Sequence, residues 1–217
     1  MKEINKTVYV KRFLYFNLYV IKGNDGDILI DTGFICMKRR IKRWLDKFNI
    51  KLVILTHAHV DHIWNASYIK KTYNCDIAIS ENDVVNIDNS IINSKPSNKN
   101  HRIWTKIMNY GMKKLNAPKF KIDMYLKDNQ IIDKYGITLK TISLPGHTNG
   151  SIGVLYNKIL FAGDALVNRK KQLQIAYQNQ DNEKAKISYK KILGLNPDVV
   201  FLGHDKAVFN DEFILQS

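Results

Sequence analysis

Hydrophobic and polar positions along the chain switch between two periods. "VYVKRFLYFNLYVI" (8–21) is β-branched and aromatic, "KGNDGD" is a glycine-rich turn, and "ILIDTG" follows. This predicts a hairpin or meander over 7–31. In "MKRRIKRWLDKF" (37–48) the apolar residues Met37, Ile41, Trp44, Leu45 and Phe48 fall on one helical stripe. "KLVIL" (51–55) is a short continuous apolar run, predicted to be a buried strand. "IWNASYIKKTY" reads as helix, "CDIAIS" as strand, "ENDVVNI" as a short helix and "RIWTKIMNYGMKKL" (102–115) as a longer one. Strand signals return at "GITLKTISL", "SIGVLY" and "KILFAG", and a helix near 181–193 and a strand "DVVFLG" complete the pattern. Strands, helix, strand and a polar loop thus occur twice. Two mixed sheets packed face to face, with helices on the outer faces, satisfy that order.

Composition narrows the class. The 217 residues are 45% hydrophobic and 11% aromatic, enough for one domain with a substantial core. No apolar run reaches the roughly 18–20 residues of a membrane span, and "MKEINKTVYVKRF" lacks a signal-peptide core, so a cytoplasmic protein is expected. Cys36 and Cys75 form no metal-like pair and read as free thiols.

The net charge of +14 suggests nucleic acid or an acidic substrate. However, only six of the 34 basic residues are arginine, the residue that phosphate recognition favours. Nucleic acid is therefore kept as a secondary partner. The basic residues do cluster: 89–122 hold Lys95, Lys99, Arg102, Lys106, Lys113, Lys114, Lys119 and Lys121 with no acidic residue. Trp104, Met108, Tyr110 and Met112 in the same segment offer an apolar wall. The segment reads as a helical insertion, either a lid that attracts an anionic small molecule or a solvated surface.

The chemistry is concentrated in "LTHAHVDH" (55–62). Three of the six histidines and Asp61 crowd into six positions. Neutral imidazoles and a carboxylate are ligands shared by zinc, iron and manganese. The spacing suits a loop curling around a centre, with His57 and His59 aimed at one ion and Asp61 and His62 at a second. One loop supplies too few ligands for two ions. Three later stretches each end a strand in glycine before a ligand type: "LPGHTNGS" with His147, "LFAGDAL" with Asp164 and "VFLGHD" with His204. Glycine lets the backbone turn sharply there. His101 lacks such a context and is left out.

His57-x-His59-x-Asp61-His62 followed by His147, Asp164 and His204 resembles the metallo-β-lactamase-fold superfamily, over most of the chain from "ILIDTG" to "LGHD". The resemblance implies a single α/β domain over 1–217, an αββα sandwich with a metal site at one edge between the sheets. It further implies that His57, His59 and His147 bind one metal and Asp61, His62 and His204 the other, with Asp164 bridging. Asp31 in "LIDTG" resembles the family's buried aspartate that orients a ligand from behind, in keeping with the habit of ligating histidines to donate their other N–H to a carboxylate.

Two zinc ions are the expected cofactor, with iron or manganese as alternatives. A hydroxide bridging two such ions would attack a carbonyl or phosphoryl centre, and Asp61 would orient it and receive its proton. Departures from subfamily patterns narrow the reading. Asp164 stands where the best-known zinc β-lactamases carry cysteine, and Val167 stands where the quorum-quenching lactonases place a tyrosine. The chain resembles glyoxalase II without its C-terminal thioester-binding region. A dizinc hydrolase of small thioesters, esters or lactones is therefore expected. A phosphodiesterase or nuclease is the alternative, and an iron-dependent persulfide dioxygenase the third reading.

Overall fold

The structure is a computed structural model and describes residues 7–14, 16–89, 94–103, 105–106, 110, 117–169 and 172–210. In chain order the first half holds strands β1 (Val8–Arg12), β2 (Asn17–Ile21) and β3 (Asp27–Ile30), helix α1 (Lys38–Leu45), β4 (Ile50–Ile54), α2 (Val60–Ile63), α3 (Ala66–Tyr73) and β5 (Asp76–Ser80). A 3-10 turn Glu81–Asp83, helix α4 (Val84–Asn89), β6 (Lys95–Pro96) and β7 (Met124–Leu126) follow. The second half holds β8 (Ile131–Lys134), β9 (Ile137–Ser143), β10 (Ile152–Tyr156), β11 (Ile159–Gly163), the hairpin β12 (Leu166–Arg169) and β13 (Gln172–Ile175), β14 (Gln178–Asn179), α5 (Asn182–Leu195), β15 (Val199–Leu202) and β16 (Val208–Phe209).

Two six-stranded sheets result, ordered β1-β2-β3-β4-β5-β7 and β16-β15-β11-β10-β9-β8. The first is antiparallel from β1 to β3 and parallel from β3 to β7. The second is antiparallel except where β15 lies parallel to β11.

Alternation along the strands assigns each side chain to a layer. Ile28, Ile30, Leu52 and Ile54 pack against Leu139, Ile152, Val154, Phe161 and Phe201 between the sheets. Leu29 and Val53, one residue out of phase, pack outward with Ile41 and Leu45 of α1 and Ile69 of α3. On the opposite face Leu160, Val200 and Leu202 pack against Ile192 of α5. The continuous apolar runs are strands buried on both faces, and the layers are helix, sheet, sheet, helix. Phe161 and Phe201 stack at 5.3 Å in the central layer, where removing one ring would cost about 3–5 kcal/mol.

The helix expected over 63–73 is broken. Asn65 Nδ2 turns to donate to the carbonyls of Thr32, Gly33 and Phe34, which separates α2 from α3. Strands β7, β8, β12, β13 and β16 are only two to four residues long and have no counterpart among the expected elements. Of the helix expected over 102–115, Arg102, Ile103, Thr105, Lys106 and Tyr110 are helical. Trp104, Met108, Met112, Lys113 and Lys114 lie outside the described residues. Among the described residues no helix is long and apolar enough to cross a membrane. Cys36 is exposed, Cys75 is buried, and both are free.

Candidate metal centre

The stretch after β4 carries His57 and His59, and α2 carries Asp61 and His62. The reading of that stretch as loop throughout is thus corrected for its last two polar residues, which occupy one helical turn. His59 is the extended residue that precedes this turn. His147 lies between β9 and β10, Asp164 directly after β11, and His204 just beyond the end of β15, after Gly203. Every one of the seven residues singled out from the sequence arrives at the same edge of the sandwich.

They form two groups of potential ligands. His57, His59, His147 and Asp164 make one, and Asp61, His62 and His204 the other, with the ligand atoms in each group within 4.8 Å of one another. In the first, His59 Nδ1 is 2.9 Å from His147 Nε2. Asp164 Oδ2 lies 3.9 Å from His57 Nε2 and 3.6 Å from His147 Nε2. In the second, His62 Nε2 is 3.4 Å from His204 Nε2, and Asp61 Oδ2 lies 3.4 Å from His204 Nε2 and 3.9 Å from His62 Nε2. Ligand atoms about 2.1 Å from one tetrahedral ion stand roughly 3.4 Å apart, so these spacings fit. Asp164 touches both groups, with Oδ2 2.9 Å from His204 Nε2 and Oδ1 3.5 Å from His62 Nε2.

Hydrogen bonds on the outer side of the rings decide which way the lone pairs point. His147 Nδ1 donates to the Gln178 carbonyl at 2.9 Å. His62 Nδ1 donates to Asp31 Oδ2 at 2.8 Å. His57 Nδ1 donates to Thr56 Oγ1 at 3.1 Å, and that hydroxyl donates in turn to Asp31. All three rings are left with Nε2 facing the centre. His57 Nε2 is buried there without a hydrogen-bond partner among the described residues, a costly state unless something else binds it. The donor set fits a pair of divalent cations.

Electrostatics differ between the groups. Burial, joined by the other imidazoles, holds His57 and His59 well below the usual histidine range. Burial also lowers His147. Burial opposes charge on His62 as well, but Asp164, Asp31 and Asp61 outweigh it and raise this ring well above its ordinary value. His204 is raised to about 9 against its burial, by the charge and hydrogen bond of Asp164. Asp164 is held low in return by His204 and His62, although burial alone would raise it.

The glycines before the ligands act in more than one way. Gly163 takes φ +54, the left-handed turn expected. Gly203 is required by crowding instead. A Cβ there would stand 2.0 Å from Asp164 Oδ1 and 2.8 Å from His62 Cε1. Asp31 itself takes φ +61, an uncommon conformation for a non-glycine residue that costs of order 1–3 kcal/mol.

Residues 13–204 match the family described as the metallo-beta-lactamase superfamily. The chain belongs to that superfamily. A Methanocaldococcus jannaschii protein named "probable metallo-hydrolase" is 32% identical over 153 residues, covering 69% of this chain and 66% of its own length. Hydroxyacylglutathione hydrolase GloC of Haemophilus influenzae is 27% identical over 161 residues, covering 72% and 69%. Among solved structures, TTHA1623 in a di-iron-bound form superposes with a TM-score of 0.70 at 19% identity, covering 94% of this chain and 95% of that one. The fold of this superfamily member is thus shared with solved structures, and its glyoxalase II-like resemblance is matched by a named relative.

Several residues of the site escape motif reading. Thr56 and Gln178 act through a hydroxyl and a backbone carbonyl, which no motif flags. His101, set aside from the sequence, packs edge-on against the Tyr177 ring at 4.6 Å, with Ser97 Oγ 3.1 Å from its Nδ1. The Arg169 guanidinium lies 6.0 Å over that ring. Tyr177 directly precedes Gln178, and Ser97 N donates to its carbonyl. The start of the basic segment is thereby docked beside His147, with β6 paired to β14.

Proposed function

We propose that this chain is a dinuclear metal-dependent hydrolase of small thioesters, esters or lactones, with zinc the favoured metal. The carrying observation is the outward donation of the His57, His62 and His147 Nδ1 groups, which turns their Nε2 lone pairs inward beside the unpartnered His57 Nε2. His57, His59 and His147 would hold one ion and Asp61, His62 and His204 the other, with Asp164 facing both. When bound, two such ions would supply Lewis acidity and lower the pKa of bound water toward neutrality.

The protein's own groups do the rest. Asp61, 27% exposed in its side chain, is the carboxylate of the set best placed to take the proton from attacking water, with Oδ2 3.4 Å from His204 Nε2. Asp31 holds His62 and, through Thr56, His57 in the ligating tautomer. Half-buried Tyr177 and His101 with exposed Arg169 form a rim with an aromatic face and positive charge, suited to an anionic acyl substrate. Named metallo-hydrolase and hydroxyacylglutathione hydrolase relatives support this class. Iron is the alternative metal, supported by the di-iron form of TTHA1623.

The test combines metal analysis with a panel of thioester, ester, lactone and phosphodiester substrates. About two equivalents of metal and turnover of an acyl substrate are expected. Phosphodiester turnover alone would move the chain to the nuclease reading. In Asp164→Ala, turnover should fall at least about 100-fold, or about 2.7 kcal/mol of barrier. Retained activity would sink the bridging role of Asp164.

A further inference from the structure

One buried carboxylate takes no part in the chemistry above. Asp83 closes the 3-10 turn after β5 and is fully buried, at 0% exposure. A buried carboxylate is costly unless its lone pairs are satisfied, and here four donors satisfy them. Oδ2 accepts from Ala58 N at 2.8 Å and Thr148 Oγ1 at 2.9 Å. Oδ1 accepts from Gly150 N at 2.9 Å and Asn86 Nδ2 at 2.8 Å.

The positions of those donors matter more than their number. Ala58 is the residue between His57 and His59. Thr148 directly follows His147, and Gly150 belongs to the same loop. Asp83 therefore ties together the backbones of the two loops that carry all three histidines of the first group, while touching none of their rings. The loops are pressed closely on this turn. A Cβ at Gly150 would stand 2.5 Å from Asp83 N and 2.8 Å from its Cβ, so the second loop approaches Asp83 as nearly as a backbone can. Asp31 plays a different part, because it holds one ring nitrogen directly, Nδ1 of His62, and reaches His57 only through the Thr56 hydroxyl.

Resting on the metal assignment proposed above, we infer that Asp83 is a positioning residue for the first ion alone. It sets the spacing between the His57–His59 loop and His147, and so the affinity of that site, independently of the site held by Asp61, His62 and His204. Ligand nitrogens only 2.9 Å apart across the two loops leave little room for either loop to drift.

The test is a stepwise Co2+ titration of the full-length apo-protein, read by visible absorption, with Zn2+ affinities from chelator competition. His59→Ala and His204→Ala identify which step belongs to which site. Asp83→Asn keeps the shape but replaces one accepting oxygen with an NH2 that cannot accept, so either Ala58 N or Gly150 N loses its acceptor. It should weaken the His59-dependent step by about 10–100-fold and shift the His204-dependent step by less than about threefold. Thr148→Val, which removes one of the four bonds, should move the same step in the same direction by less, and it carries the test if Asp83→Asn does not fold. Parent-like titrations of Asp83→Asn or Thr148→Val, or equal weakening of both steps, would overturn the inference. If His59→Ala and His204→Ala fail to remove separate steps, the metal assignment falls, and the inference with it, in a way visible in those two variants alone.

Discussion

Asp31 Oδ2 accepts the Nδ1 proton of His62 at 2.8 Å, with both side chains buried. The same carboxylate accepts from the Thr56 hydroxyl and from Thr56 N. One residue thus orients a ligand of the second group directly and a ligand of the first through a hydroxyl. Asp31→Asn should weaken metal affinity by about 10–100-fold while the protein stays folded. Chelator competition and circular dichroism measure the two parts. Unchanged affinity would reduce Asp31 to a strand-end turn residue.

Gly203→Ala tests the crowding around Asp164. The added methyl would overlap Asp164 Oδ1 and crowd His62 Cε1, and the carboxylate is the group able to move. Bound metal and turnover should both fall, with the melting temperature changed far less than by a core deletion. Parent-like metal content would mean that the 203–204 backbone yields instead.

Charge at the rim has its own signature. Arg169→Glu, alone or with His101→Ala, should raise KM for an anionic acyl substrate and leave kcat nearly unchanged. The effect should shrink as salt is added, because the field is screened over about 8–10 Å at 0.10–0.15 M. A neutral substrate of the same size should be indifferent. Equal KM values on the anionic substrate at low salt would leave Arg169 as surface only.

Acid stability has a separate origin, away from the site. Asp123 lies against Lys70 and accepts from Ile77 N at 2.9 Å. Burial works against its charge, but the Lys70 and Ile77 hydrogen bonds outweigh it and lower the carboxyl below its ordinary 3.8. A folded-state value below the unfolded one stabilises the protein above pH 3.8, and that contribution is lost as pH falls through the folded value. Asp123→Asn should therefore cost roughly 0.5–1 kcal/mol at pH 7 and progressively less below pH 4. Urea denaturation at the two pH values gives the comparison. A pH-independent difference would assign the loss to packing.

The legible part of this protein was the part written in strong local signals. "KLVIL" and "KILFAG" are apolar without interruption after their lysine, and runs this short with β-branched residues suit a strand covered on both faces. "HAHVDH" is too dense in ligand types for a solvated loop. Weak strands were invisible for the converse reason: β8 (Ile131–Lys134) buries only Ile132 fully, and its pairing with β9, not its own pattern, holds it. Asp83 carried no signal within "ENDVVNI", because its partners Ala58, Thr148 and Gly150 are distant in sequence and two of them donate through backbone N–H. His101 gained its place only through a docking of β6 that no periodicity encodes.

Each proposed ion draws its ligands from both halves of the chain. His59 and His147 are 88 residues apart, and His62 and His204 are 142 apart. An ion in either place is therefore a reversible cross-link closing a long loop. A cross-link over about 100 residues restricts the unfolded chain by about 4.7 kcal/mol in the chain-entropy model. Neither place is complete until the strands that carry His147, Asp164 and His204 lie beside the first sheet, so metal binding would add its free energy to the docked state. A chain emerging from synthesis holds the dense histidine stretch early and can complete the first group only with His147 and the second only with His204.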